Sequence, residues 1–90
     1  MADPVSNRVQ LTLFQRDECH LCELAWEVLA MAGVSDFDSV FIDGDAALER
    51  EFGLRVPVLR VTRPTTSAGP SSVDIDWPFD VEQLRRALAD

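Results

Sequence analysis

Residues 9–22 of the chain read Val9-Gln10-Leu11-Thr12-Leu13-Phe14-Gln15-Arg16-Asp17-Glu18-Cys19-His20-Leu21-Cys22. An apolar, β-prone run ends in the polar loop 15–18, and a helical pattern then opens on two thiols. A C-x-x-C at such a strand-to-helix junction can close into a disulfide and reopen, so redox exchange is the leading chemistry. Competing uses of the motif are weighed by counting ligands. A structural zinc site takes four Cys or His ligands, and the sequence holds two Cys and one His; one chain alone therefore falls short unless carboxylates or a second chain complete the set. Two thiolates alone still suit a soft ion such as Cu(I). Haem attachment requires the His after the second Cys, whereas His20 lies between them. A purely structural staple is the remaining reading, although so small a ring removes little entropy from the unfolded chain.

Beyond the motif, Leu21, Leu24, Ala25, Val28, Leu29 and Ala32 follow the spacing of one buried helical stripe, which Gly33 ends in a left-handed turn. Val40-Phe41-Ile42 reads as a short central strand covered on both faces. Asp45 caps a helix over 46–52, closed by Gly53. A third strand follows over 56–61, with Pro57 at its start because proline cannot donate to a ladder. Residues 62–72 read as a loop, and 73–76 as a half-exposed edge strand. Asp80 then caps a last helix facing inward through Val81, Leu84 and Leu88, with Gln83 placed for a capping box. The order β-α-β-α-β-β-α predicts an α/β fold with a four-stranded mixed sheet and helices on both faces. Strand-helix-strand units are expected to pair in parallel, and the last two strands to form an antiparallel hairpin.

Ninety residues make one domain, 1–90. A composition 47% hydrophobic and 27% charged is that of a globular chain, with no apolar run long enough to span a bilayer. Residues 1–8 lack both a basic start and an apolar core, so no secretory signal is legible and a cytoplasmic protein is expected. The net charge is −8 and all eight basic residues are Arg. An acidic surface repels phosphate backbones and anionic lipid, which counts against nucleic-acid and membrane-surface roles. The carboxylates are scattered, as suits solubility.

Leu11-Thr-Leu-Phe14, Cys19-His-Leu-Cys22-Glu, Phe41-Ile-Asp-Gly-Asp45 and Arg55-Val-Pro-Val-Leu59 together resemble the thioredoxin superfamily, specifically its branch of small glutaredoxin-like bacterial proteins. The resemblance covers most of the chain. It implies a thioredoxin fold, a cis Val56-Pro57 bond beside the cysteines, and pairing of the Val56 backbone with substrate. It also implies that Cys19 attacks a substrate disulfide while Cys22 resolves the mixed disulfide. The physics of a helix start agrees, since free N–H groups and the dipole favour a thiolate at the first position and fade one turn later. Protonated His20 and Arg16 favour that thiolate, whereas Asp17, Glu18 and Glu23 oppose it. Trp26 either flanks the second thiol or is an ordinary packed indole; Trp77 and Phe79 read as edge packing.

The glutathione-dependent members of the superfamily carry a Lys before the first Cys, a Thr before Val-Pro, and a Gly-Gly with an acidic residue near the last helix. Here Arg16, Arg55 and Trp77-Pro78-Phe79-Asp80 stand in those places. A glutathione site, if present, would use Arg16, Val56 and Asp80, but Trp-Pro crowds a peptide that needs close backbone approach. No cofactor and no metal are expected. The reading is a monomeric thiol-disulfide oxidoreductase acting on protein or small-molecule disulfides. The alternatives are a Cu(I)-binding module and a non-catalytic interaction domain of the same fold.

Overall fold

The computed structural model describes residues 9–63, 69 and 71–88; the segment 1–8 read above for a signal lies outside them, as does most of the stretch 64–70. The elements are β1 (Gln10–Gln15), α1 (His20–Met31), β2 (Asp38–Phe41), α2 (Ala46–Phe52), β3 (Val58–Arg63), β4 (Ser71–Asp76) and α3 (Val81–Leu88). They form one four-stranded mixed sheet in the order β2-β1-β3-β4, with the predicted succession of elements.

Local chemistry accounts for the helix ends. Asp45 Oδ1 accepts the Ala47 and Leu48 amides at 3.0 and 3.1 Å, and Asp80 Oδ1 accepts the Gln83 amide at 2.7 Å. Gly33 takes φ +82°, and the amide of Val34 reaches back to the Leu29 carbonyl at 2.9 Å. Gly53 is different from the expected left-handed stop. Its φ is −53°, and glycine is needed there because a Cβ would run into the Glu49 carbonyl.

Four further expectations are corrected. In α1 the buried stripe is Cys22, Ala25 and Leu29, while Leu21 is exposed; successive residues turn by roughly 100°, which carries Leu21 past the edge of the stripe. β2 is an edge strand, not a central one: Phe41 is exposed, and only Ile42, just beyond the strand, is fully buried. β3 begins at Val58, since Pro57 has no N–H and the Val56 amide is taken by the Phe52 carbonyl at 3.0 Å. The predicted loop is shorter, because Thr62 and Arg63 belong to β3 and Ser71 and Ser72 to β4.

Pairing direction carries the consequence for the site. β1 and β2 are parallel, as expected of their helical crossover, but β1 and β3 are antiparallel, as are β3 and β4. Seven residues of α2 rise only about 10 Å, too little to carry the chain back along the sheet. β3 therefore starts where β2 finished. The registers Gln15↔Phe41 and Phe14↔Val58 put the end of β1 between Phe41 on one side and the start of β3 on the other.

The two faces of the sheet are covered unequally. Under α1 and α3 lie Leu11, Leu13, Ala25, Leu29, Leu59, Val61, Ile75, Phe79 and Leu84. Under α2 lies a smaller cluster, Phe14, Ile42, Phe52 and Val58, in which the rings of Phe14 and Phe52 stack at 4.3 Å. Arginines complete that second face. Arg60 sits over both rings, 5.1 Å from Phe14 and 5.5 Å from Phe52, and pairs with Asp74 at 2.8 Å; Arg55 lies 5.2 Å over Phe52 and pairs with Asp76 at 2.9 Å.

Candidate active site

The loop after β1 delivers Cys19 as the N-cap of α1, in extended backbone conformation. Its Sγ accepts the backbone N–H of Cys22 at 3.1 Å, so a sulfur occupies the place usually held by a Ser or Asp oxygen. Negative charge on that sulfur is favoured by the donated amide and by the helix dipole. The two sulfurs meet as a disulfide pair with Cα atoms 5.2 Å apart, inside the roughly 4.4–6.8 Å that such a bridge tolerates. They are not equivalent: Cys22 is 2% exposed, whereas Cys19 is only partly covered.

Glu18, immediately before Cys19, has φ +51°. A side chain in this left-handed region is uncommon and costs about 1 kcal/mol. The polar loop does not reveal it, because glutamate carries no signal for this conformation.

Beside the pair opens a cleft of about 270 Å³ lined by Gln15, Arg16, Asp17, Glu18, Cys19, Cys22, Glu23, Trp26 and Phe41. The aromatic walls come from different elements: Trp26 from α1, 49% exposed, and Phe41 from the edge strand, 50% exposed. Gln15 lies between them at 3% exposure, and its Oε1 accepts the Trp26 indole N–H at 3.1 Å. Sequence reasoning missed both Gln15 and Phe41. Their one available signal was position, since each ends a strand at the cysteine edge.

Arg16 lines the cleft but is committed elsewhere. Its guanidinium grips Glu49 at 2.9 and 3.2 Å and the Gly53 carbonyl at 3.1 Å, and hydrogen bonding to Glu49 raises its already high pKa. Arg55 is likewise bound to Asp76 and Asp74, with its pKa raised chiefly by the Asp76 hydrogen bond. The carboxylates of the cleft are freer: among the described residues Asp17 and Glu18 make no ion pair, and Glu23 meets only His20, at 3.9 Å.

Val56 and Pro57 stand at the same end of the sheet as the cysteines, on the β3 side of β1, and the bond between them is cis. Neither lines the cleft, which opens toward β2. Asp80 caps α3 and does not line it either. Trp77 and Phe79 pack edge to face at 5.0 Å, and Phe79 is buried in the core under α1 and α3. Among the described residues no group of three or more His, Cys, Asp or Glu side chains is arranged to hold a metal ion, and no helix is long and apolar enough to cross a membrane.

Comparison with known proteins agrees with this architecture. The family model described as "Glutaredoxin-like domain (DUF836)" matches residues 10–89. An X-ray structure of Northeast Structural Genomics target protein XcR50 from X. campestris is 55% identical, aligns over 87% of this chain and 93% of its own, and superposes with a TM-score of 0.71. The solution structure of the same target gives 53% identity, 88% and 91% coverage, and a TM-score of 0.70. A search of curated proteins finds no significant match.

Proposed function

The chain belongs to the glutaredoxin-like domain family and has the thioredoxin-like fold, and from that premise we propose that it is a thiol-disulfide oxidoreductase in which Cys19 attacks and Cys22 resolves. The observation that carries this reading is the Cys22 amide donated to Cys19 Sγ at the start of α1. In the reductive direction the Cys19 thiolate attacks one sulfur of a substrate disulfide, and the other substrate sulfur leaves as a thiolate. Cys22, once deprotonated, attacks Cys19 Sγ, releases the second substrate thiolate, and leaves the Cys19–Cys22 disulfide. Two electrons pass to the substrate, and an external dithiol restores the pair.

Equilibration in defined thiol-disulfide buffers, followed by counting free thiols, tests the proposal. A reversible loss of both thiols supports it. Two thiols unchanged under oxidant, or stoichiometric Cu(I) carried through purification, would overturn it, the latter in favour of the metal-binding alternative.

We further propose that glutathione is a poor reductant. Its carboxylates need free cations, and the two guanidiniums that stand in the family's Lys and Thr places, Arg16 and Arg55, are already held by acidic partners. Trp77-Pro78 adds bulk where the glutathione-dependent members carry Gly-Gly. Reduction by glutathione and by a thioredoxin system at matched potential separates the cases. Faster turnover with glutathione would overturn the proposal.

A further inference from the structure

The cleft on the β2 side of the cysteines is lined in a way that selects among substrates. Its mouth carries Asp17, Glu18 and Glu23 against a single cation, Arg16, which Glu49 neutralises. Its walls, Trp26 and Phe41, leave half of each large apolar side chain in water. Between them lies a hydrogen-bonding mismatch. The indole N–H of Trp26 can only donate, so it fixes the Gln15 amide with Oε1 toward the ring. Gln15 Nε2 is then left buried without an acceptor. Such an unmatched donor is costly, and here it has almost no surface open to the cleft.

The geometry points to this cleft as the docking site for a cationic peptide segment: the stretch of a protein disulfide that carries Lys or Arg beside the cysteine Cys19 attacks. This inference rests on the disulfide-exchange reading above and names its substrate class. A guanidinium or ammonium lying on the Trp26 face gains a cation–π contact, and it stays within reach of the rim carboxylates. The apolar stem covers Phe41. An acidic partner would be repelled by the same rim, so the site discriminates by repulsion as well as attraction. The occupant lies on the opposite side of β1 from Val56 and Pro57, which leaves the β3 side free for the backbone of the attacked segment.

The test uses the full chain, reduced, and three peptide disulfides identical except for lysine, serine or glutamate on either side of the cysteine. Initial rates of disulfide exchange are expected to fall from lysine to serine to glutamate, with lysine about tenfold faster than glutamate at low ionic strength. That ratio is expected to shrink toward one in high salt, where surface charges are screened. Asp17→Asn with Glu23→Gln should bring the lysine and glutamate peptides together, and Trp26→Ala should slow the lysine peptide most. Equal rates for all three peptides, or a preference untouched by the carboxylate changes, would overturn the docking site and leave the redox reading standing. Failure to exchange with any of them, together with thiols inert in redox buffers, would remove the redox reading itself.

Discussion

The cysteine end of the sheet and the face beneath α2 are built from the same materials, aromatic rings and charged side chains, and use them in opposite ways. Under α2 the rings of Phe14 and Phe52 are buried, and Arg55 and Arg60 close over them while paired with Asp74, Asp76 and Glu51. At the cysteine end Trp26 and Phe41 stand half in water, the guanidinium that lines the cleft is already engaged by Glu49, and a buried amide donor lacks its acceptor. One region commits its charges to stability. The other leaves them available to a visitor. The arginines under α2 are committed to the scaffold, while the carboxylates beside the cysteines are those that the docking proposal assigns to recognition.

Changes at the two regions should therefore separate activity from stability. The largest effect is expected at the cysteines. Cys19→Ser should abolish exchange with peptide disulfides, whereas Cys22→Ser should accumulate mixed disulfide through Cys19, because the proposed role of the buried thiol is only to resolve. Trapping assays with both variants check this, and equal trapping would erase the distinction between the thiols. Neither change should greatly shift the unfolding midpoint of the reduced protein.

On the α2 face the signs reverse. Phe52→Ala removes a fully buried ring stacked on Phe14 and is expected to cost about 3–5 kcal/mol, read by denaturant unfolding. The folded fraction should still exchange disulfides. Loss of exchange in protein shown to be folded would mean that the two regions are coupled.

A smaller, pH-dependent effect belongs to Asp74, whose carboxyl is held below its ordinary value of 3.8 chiefly by the hydrogen bond from Arg60. A depressed carboxylate pKa contributes stability that is complete above the unfolded value and is lost as pH falls through the folded one. Asp74→Asn should thus cost on the order of 1 kcal/mol at neutral pH, and parent and variant should converge in acid. A gap that persists in acid would show that the contribution of Asp74 is packing rather than charge.

The smallest change returns to the site. Glu18→Gly is expected to raise stability by up to about 1 kcal/mol, because glycine adopts φ +51° without the Cβ penalty. Thermal unfolding measures it. Loss of stability would show that the Glu18 side chain contributes more than its backbone costs.

Much of this architecture is legible in the chain alone. The apolar run over 9–14, the Ala25 and Leu29 positions of the helical stripe, the capping aspartates at 45 and 80, and the cysteines at the strand-to-helix junction are local patterns, governed by residues within one or two turns of each other. Pattern misleads where the determinant is not local. Leu21 reads as core because sequence spacing cannot say where the stripe's edge meets the sheet. Val40-Phe41-Ile42 reads as central because apolar content does not reveal which neighbours a strand will find.

The kinds and order of the elements, and the position of Cys19 at a helix start, follow from the sequence without further help, since capping, periodicity and turn chemistry act through nearby residues. It takes the folded chain to establish that β3 runs against β1, that Arg16 belongs to Glu49 thirty-three residues away, and that Gln15, Trp26 and Phe41 enclose one cleft. Those arrangements join residues far apart in the chain. They depend on the short α2 turning the chain back at the cysteine end, and on which distant side chains the closed sheet then brings within contact.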